Sequence, residues 1–421
     1  MKYVDVIGIG AINYDYMFSC KKEENSNMNP DAGRENLDRK EKEVKEEIIE
    51  MHKTCKSYST QIGGSSLLAL KAIRAIDSSL SISFVGVCGK TDEFDKYYGK
   101  DLDEKKELSF IDNQEWLFYS DDDFPENKKY IGRAAVKLNK ENTRGNINIS
   151  GGANDLIIEL IKKKEREENA SLSDFLAQAR WIHVSSLGKF KHFETIMEAV
   201  IQAKNKNRFL RISIDPGNQY TDEEKNKLQK YLNIADYVFL NKDEFNNLIL
   251  NEDLSDDEKY VKLSSYFKNS NNTSQHTKVI VIKHKNRHEL IDFINGTPYI
   301  HYHTTLPFYK IHNDTGAGDC FAGGFIAGML SDKLVAQQPA PIELGVLASK
   351  TRLMTVNNDD VYDNIKIEAN KFFTVKYKNG SNSKRQNIIM HIKNGYKYLL
   401  SFISGVIISI VASIIYSLFC R

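Results

Sequence analysis

The segment 313–325, N-D-T-G-A-G-D-C-F-A-G-G-F, holds the residue types best suited to chemistry. Three small residues, Gly316, Ala317 and Gly318, precede an acid, Asp319, and a run of small and aromatic residues follows. Backbone N–H groups without side-chain bulk let an anion approach closely. A helix beginning near Cys320 aims the positive end of its dipole at the same point. Asp319 then stands where an alcohol would lose its proton. Such a set of groups suits transfer of a phosphoryl group to a hydroxyl, in which positioning and charge stabilisation carry most of the rate.

The elements that must hold this segment are legible along the chain. Short apolar runs at 4–9, 82–87, 181–184, 210–214, 237–240 and 279–282 read as strands. They alternate with helical stretches at 66–76, 193–203, 224–232, 243–250 and 320–330. This alternation predicts an α/β fold, a mostly parallel sheet sandwiched between helices. Ligands in such folds gather at the carboxyl ends of the strands. Segments around 14–20, 58–62, 115–119 and 130–138 lack the parallel-sheet pattern and read as a small antiparallel lid.

Several other motifs fall just after expected strands. Asn13 and Asp15 follow the first strand, where a carboxylate can accept from two neighbouring hydroxyls or close an Asx turn. Gly63 and Gly64 lead into a helix and allow a ligand near the backbone. Asn154, in S-G-G-A-N, suits either a hydroxyl contact or a helix cap. Asp215 opens a Pro-Gly turn. Asn241 and Glu244, three apart, share one face of a beginning helix, and a capping box would use the same two residues. Lys283 and Lys285 make a basic loop.

The G-A-G-D core and its small-residue helix resemble the C-terminal signature of the PfkB, or ribokinase-like, family of sugar and nucleoside kinases. The resemblance extends to N-x-D at 13–15, Gly63-Gly64, V-G-V-C-G-K-T-D at 85–92, similar to the family's V-G-x-x-G-x-D (read as structural), G-A-N at 152–154 and N-x-x-E at 241–244, over roughly residues 3–360. It implies a ribokinase-like αβα sandwich whose lid excludes water from the transfer. It further implies an anion hole at Gly316, Ala317 and Gly318, with Asp319 as catalytic base. The sugar would bind Asn13, Asp15, Gly63, Gly64 and Asn154, and the ATP phosphates Asn241 and Lys283. Mg²⁺ would sit on Glu244 through water, since magnesium keeps several of its own waters. Three departures are visible. Leu68 replaces an Asn that touches the sugar, and the loop at Lys283 lacks its glycine. Asn313 replaces an acid that helps hold a monovalent cation, with Asp314 one residue nearer, which counts against potassium activation. A sugar acceptor is the first expectation. A nucleoside, or a tethered pseudokinase without turnover, are the alternatives. A homodimer is compatible with the family.

Composition bounds the rest. The chain has 421 residues, 41% of them apolar, enough for a large core. Lys+Arg 58 against Asp+Glu 57 leaves a net charge of +1, which predicts no nucleic-acid partner. Cys20, Cys55, Cys88, Cys320 and Cys420 form no C-x-x-C pair, so neither a zinc site nor a disulfide framework is indicated, and a reducing compartment is the simpler reading. Asp5 breaks the first apolar run, which reads as a buried strand rather than a signal peptide. The kinase domain is expected over 1–390. A charged insertion at 21–57 is expected to be disordered, apart from a solvated helix around 39–50, and the lid strands lie at about 13–20, 58–62 and 115–138. Residues 398–420 carry no charge. As a helix they reach about 34 Å, enough to cross a hydrocarbon core of about 30 Å. Lys384, Arg385, Lys393 and Lys397 precede the run and only Arg421 follows it, which predicts a tail-anchored membrane protein with its kinase domain in the cytosol.

Overall fold

The apolar run Val4–Ile9 is buried along almost its whole length, as a strand covered on both faces must be. Its one acid is satisfied locally. Asp5 accepts from Ser81 N–H (2.8 Å), Ser81 Oγ (2.9 Å) and Arg180 Nη1 (2.9 Å). The computed structural model describes residues 3–19, 35–36, 39–55, 57–121, 123–138, 144–185, 187, 189–217, 222–249, 254–255, 258–262, 278–283, 287–294, 297–304, 312, 314–331, 340–355 and 358–374.

In chain order the strands are β1 (Val4–Ile9), β2 (Asn13–Ser19), β3 (Glu35–Asn36), β4 (Ser57–Gly63), β5 (Ile82–Cys88), β6 (Leu117–Tyr119), β7 (Gly132–Leu138), β8 (Arg144–Ser150), β9 (Ala179–Ser185), β10 (Arg211–Asp215), β11 (Tyr237–Asn241), β12 (Lys278–Lys283), β13 (Arg287–Ile294) and β14 (Thr297–Thr304). The main sheet runs β14-β13-β12-β11-β10-β9-β1-β5-β6. Its pairs from β12 to β6 are parallel, and β13 and β14 add antiparallel at the edge. The chain leaves β1 toward β5 on one side and β9 on the other, so β1 marks the switch point where α/β sheets bind ligands. Carboxyl ends align across this edge: Asp215 lies opposite Ser185, and Asn241 opposite Lys283.

The second sheet, β3-β8-β7-β2-β4, stands where the lid is expected. It is mixed rather than antiparallel, because β2 runs parallel to β7 and β3 parallel to β8. Long stretches of chain separate those partners, so no hairpin dictates their direction. The 115–119 segment departs from the lid altogether. Leu117–Tyr119 pairs parallel with Gly86–Cys88, anchored by Trp116, which is fully buried in the main core beside Phe175.

The charged insertion also differs from its solvated reading. Glu41–Thr54 is helical, and Val44, Ile48 and Met51, spaced i, i+4, i+7, are buried. Lys45 pairs with Glu41 (2.9 Å) and Asp92 (2.7 Å), and Glu47 accepts from Asn148 Nδ2 of β8 (2.7 Å). A high overall charge hides this apolar face because the charges occupy the other one.

The Ala317–Leu330 helix is nearly all buried. A Cβ at Gly323 would meet the Ala69 carbonyl at 2.3 Å, and one at Gly324 the Leu344 carbonyl at 2.4 Å. Its small residues therefore serve close packing on the Ser65–Ile76 and Ala340–Met354 helices. Cys88 and Cys320 are buried free thiols, whereas Cys55 is disulfide-bonded.

The chain divides into two compact units, residues 1–367 and 368–421. In the second, residues 368–374 are helical. No helix among the described residues is long and apolar enough to cross a membrane. The apolar run 398–420 lies outside the described residues.

Candidate active site

Gly316 adopts φ 79°, ψ 1°, a left-handed conformation that favours glycine, and it caps the Ala317–Leu330 helix. The helix therefore starts three residues earlier than the sequence suggests, which makes Ala317, Gly318 and Asp319 its first turn. Amides in a first turn have no intrahelical carbonyl to reach. One of the three expected anion donors is engaged, because Ala317 N–H closes the turn onto the Asp314 carbonyl (3.1 Å). Gly316 and Gly318 remain the better placed pair. The Asp319 carboxylate lies beside the turn, with Oδ2 3.9 Å from where a Gly316 Cβ would stand. Asn313 lies outside the described residues.

The turn is seated on two side chains. Leu68 Cδ1 would sit 3.1 Å from a Gly316 Cβ, so the residue that departs from the family pattern packs an apolar group against the anion turn. Below it, Arg352 Nε donates to the Thr315 carbonyl at 2.8 Å. Sequence reasoning missed Arg352. Its one local signal is a charge in the last turn of the largely apolar Ala340–Met354 helix, two residues after Lys350.

The residues expected to meet an acceptor lie on β2 and β4. Asn13 pairs with Gly63 and Asp15 with Gln61. Asp15 is buried, and Gln61 Nε2 donates to its Oδ2 (3.4 Å). A Cβ at Gly63 would stand 1.9 Å from Asp15 Oδ2, so only glycine leaves the carboxylate its place. Gly64, at φ 118°, would drive a Cβ to 2.0 Å from the Ala11 carbonyl. Asn154 is largely committed to structure: it bonds Ile12 N–H (2.9 Å), the Ile12 carbonyl (2.9 Å) and Asn13 Oδ1 (3.0 Å). It orients Asn13 more than it offers atoms to a ligand.

At the far end of the strand edge, Asn241 and Glu244 form the reciprocal capping box. Asn241 N–H donates to Glu244 Oε2 (2.7 Å) and Glu244 N–H to Asn241 Oδ1 (2.8 Å). Glu244 also lines a cavity of about 20 Å³ with Pro216, Gly217, Lys225 and Asn247, room for a single water-sized group. Asp215 is buried just before that turn. The Lys283 backbone aligns with Asn241; its side chain and Lys285 lie outside the described residues. Phe239 of β11 meets Phe321 at 6.4 Å, so the strand that delivers Asn241 packs on the helix that starts at the anion turn.

Folding adds two groups that no motif announces. Lys71 Nζ donates to the Ile62 carbonyl (3.3 Å), lies 3.7 Å from Glu107, and sits 5.8 Å from the Tyr362 ring. Burial lowers its pKa, against the pull of Glu107 and Asp15. Burial pushes the Tyr362 hydroxyl well up, and Cys320, Asp319 and Asp15 act in the same direction. Tyr362 is thus in electrostatic reach of both Asp15 and Asp319. Among the described residues no cluster of His, Cys, Asp and Glu could hold a metal by itself.

Residues 128–338 match the family described as pfkB family carbohydrate kinase, and the chain belongs to that family; it is a kinase. Solved structures share the fold. Ribokinase from Giardia lamblia is 17% identical with a TM-score of 0.62, over 88% of this chain and 99% of that one. Adenosine kinase from Schistosoma mansoni in complex with 2-fluoroadenosine is 16% identical with a TM-score of 0.64, over 85% and 97%. Adenosine kinase from Anopheles gambiae is 17% identical with a TM-score of 0.64, over 86% and 98%. No curated protein sequence matches this chain.

Proposed function

We propose that this kinase transfers the γ-phosphoryl group of ATP to a hydroxyl of a sugar or sugar-like substrate at the turn 314–319. The observation that carries the reading is the left-handed Gly316 turn, which heads a helix and holds the Asp319 carboxylate beside it. The acceptor binds against Asp15 under the lid. Asp319 takes its hydroxyl proton as the oxygen attacks phosphorus, and the Gly316 and Gly318 amides face the charge that builds on the phosphoryl oxygens. The closed lid keeps water from competing as acceptor. Asn241 and Glu244 lie on the nucleotide side, and Glu244, already fixed by its capping box, is a carboxylate suited to hold Mg²⁺ through water. Bound there, the metal would neutralise phosphate charge.

A nucleoside acceptor is the second reading. Leu68 and the Tyr362 ring favour it, since an apolar and aromatic lining suits a base better than a bare sugar. A panel of sugars and nucleosides, assayed with Mg-ATP and the full-length chain, separates the two. Turnover with sugars alone supports the first reading. Turnover with nucleosides alone replaces it with the second.

We also propose that residues 398–420 tether the kinase to a membrane with its catalytic domain in the cytosol. Their support is a 23-residue uncharged run, 398–420, flanked by Lys393 and Lys397. Alkaline carbonate extraction of the full-length chain from cells should leave it in the membrane pellet. Complete release into the supernatant would end this proposal.

A further inference from the structure

Arg352 is 2% exposed, yet among the described residues only its Nε has a hydrogen-bond partner. Its Nη1 and Nη2 are buried and make no hydrogen bond among the described residues. A cation taken out of water without a partner is costly, and natural folds keep one only where something offsets it. The position of this one is informative. Nε reaches the Thr315 carbonyl, one residue before the left-handed Gly316, and lies 3.7 Å from where a Gly316 Cβ would stand. Thr315 is itself buried. Cys320, which follows Asp319, feels the positive charge of Arg352, as does Tyr362. A single buried guanidinium therefore lies under the anion turn, within reach of the base's neighbours.

We propose that Arg352 is the positioning residue of the anion hole. Through Nε it fixes the Thr315 carbonyl, and so the plane of the next peptide, which aims the Gly316 and Gly318 amides outward. Through its unpaired Nη groups it keeps a standing positive potential beneath the turn. That potential adds to the Gly316 and Gly318 amides where the phosphoryl oxygens pass during transfer, so its effect is expected on turnover more than on substrate binding. A guanidinium suits both tasks because it stays charged and has a fixed fork of donors.

This inference rests on the kinase reading with Asp319 as base, and the test separates the two. The full-length chain, Arg352→Gln, Arg352→Lys and Asp319→Asn are compared for kcat, acceptor KM and Mg-ATP affinity, with folding checked by thermal unfolding. Arg352→Gln should lower kcat at least about tenfold while KM and ATP affinity stay within about threefold, short of the about 10²–10³ lost with a direct oxyanion donor. Arg352→Lys should keep more activity than Arg352→Gln, and added guanidinium should restore part of the Gln variant's rate. A folded Arg352→Gln within about twofold of the parent kcat would overturn the proposal. So would a KM effect with kcat intact, or equal rates for the Lys and Gln variants. If the Gln variant does not fold, the Lys variant decides: a parental kcat in it overturns the proposal and a reduced one supports it. If the parent chain shows no turnover, the kinase reading fails and binding of inorganic phosphate decides for Arg352. Binding weakened at least about tenfold in the Lys or Gln variant supports it, and unchanged or undetectable binding overturns it.

Discussion

In the proposed site, Asp15 and Gly63 set how much the acceptor side tolerates. A methyl group at position 63 would stand 1.9 Å from Asp15 Oδ2, so Gly63→Ala must move the carboxylate. The expected result is an acceptor KM raised at least about tenfold, about 1.4 kcal/mol, with Mg-ATP affinity unchanged. Unaltered acceptor binding would remove Asp15 from the site. Gly316→Ala places a side chain in the left-handed region and against Leu68, at a cost of about 1–2 kcal/mol of stability by urea unfolding. Cys320 gives a residue-scale pH dependence. Burial pushes its thiol up to about 12 from an ordinary 9.0; Asp319 adds to the rise and Arg352 opposes it. The unfolded chain releases this proton first, so the folded state binds more protons in that window and stability falls as pH rises from about 9 to about 12. Cys320→Ala should flatten the fall in urea midpoint on the alkaline side of pH 9. A parent chain whose midpoint does not drop there contradicts this account.

At the scale of elements, the lid hangs on a buried ionic cluster. Arg133 of β7, 1% exposed, donates from Nε (2.7 Å) and Nη2 (2.6 Å) to both oxygens of Asp95 and from Nη1 to Glu41 (3.0 Å). Tyr16 of β2 donates to Asp95 Oδ1 (2.7 Å). Two lid strands, the insertion helix and the main body thus share one set of charges. Removing only the cation leaves a buried carboxylate unpaired, which costs about 3–5 kcal/mol. Arg133→Met is therefore expected to strip hydrogen-exchange protection from β2, β7 and β8 while β9 and β10 keep theirs. Uniform loss across both sheets would mean the lid is no separate unit. The insertion helix enters the same argument: Ile48→Asp should loosen the lid and weaken acceptor binding before ATP binding.

Across the whole molecule, legibility follows burial. Six strands of the main sheet were readable because apolar residues dominate each run, even where Asp5, His183 or Ser213 interrupts it. β13 and β14 escaped, since charged residues such as Arg287, Glu289 and Asp292 break the pattern at a sheet edge. Leu117–Tyr119 was misplaced because its anchor, Trp116, reveals its core only in three dimensions. The motifs proposed for acceptor and phosphates stand out in the sequence because each lies in one short segment. Leu68 is visible in the sequence only as a departure from the family pattern; its packing on the Gly316 turn, the bond of Arg352 to Thr315 and the reach of Tyr362 to Asp15 and Asp319 join separate helices that no spacing in the chain connects.

The most direct test of the central claim is Mg-ATP turnover by the full-length chain and by Asp319→Asn, with ATP affinity measured on both. General-base help is typically worth about 10²–10⁴ in rate. The account predicts acceptor-dependent turnover in the parent, a loss of at least about a hundredfold in the variant, and equal ATP affinity in the two. An Asp319→Asn chain that keeps most of its activity would contradict the assignment of the base.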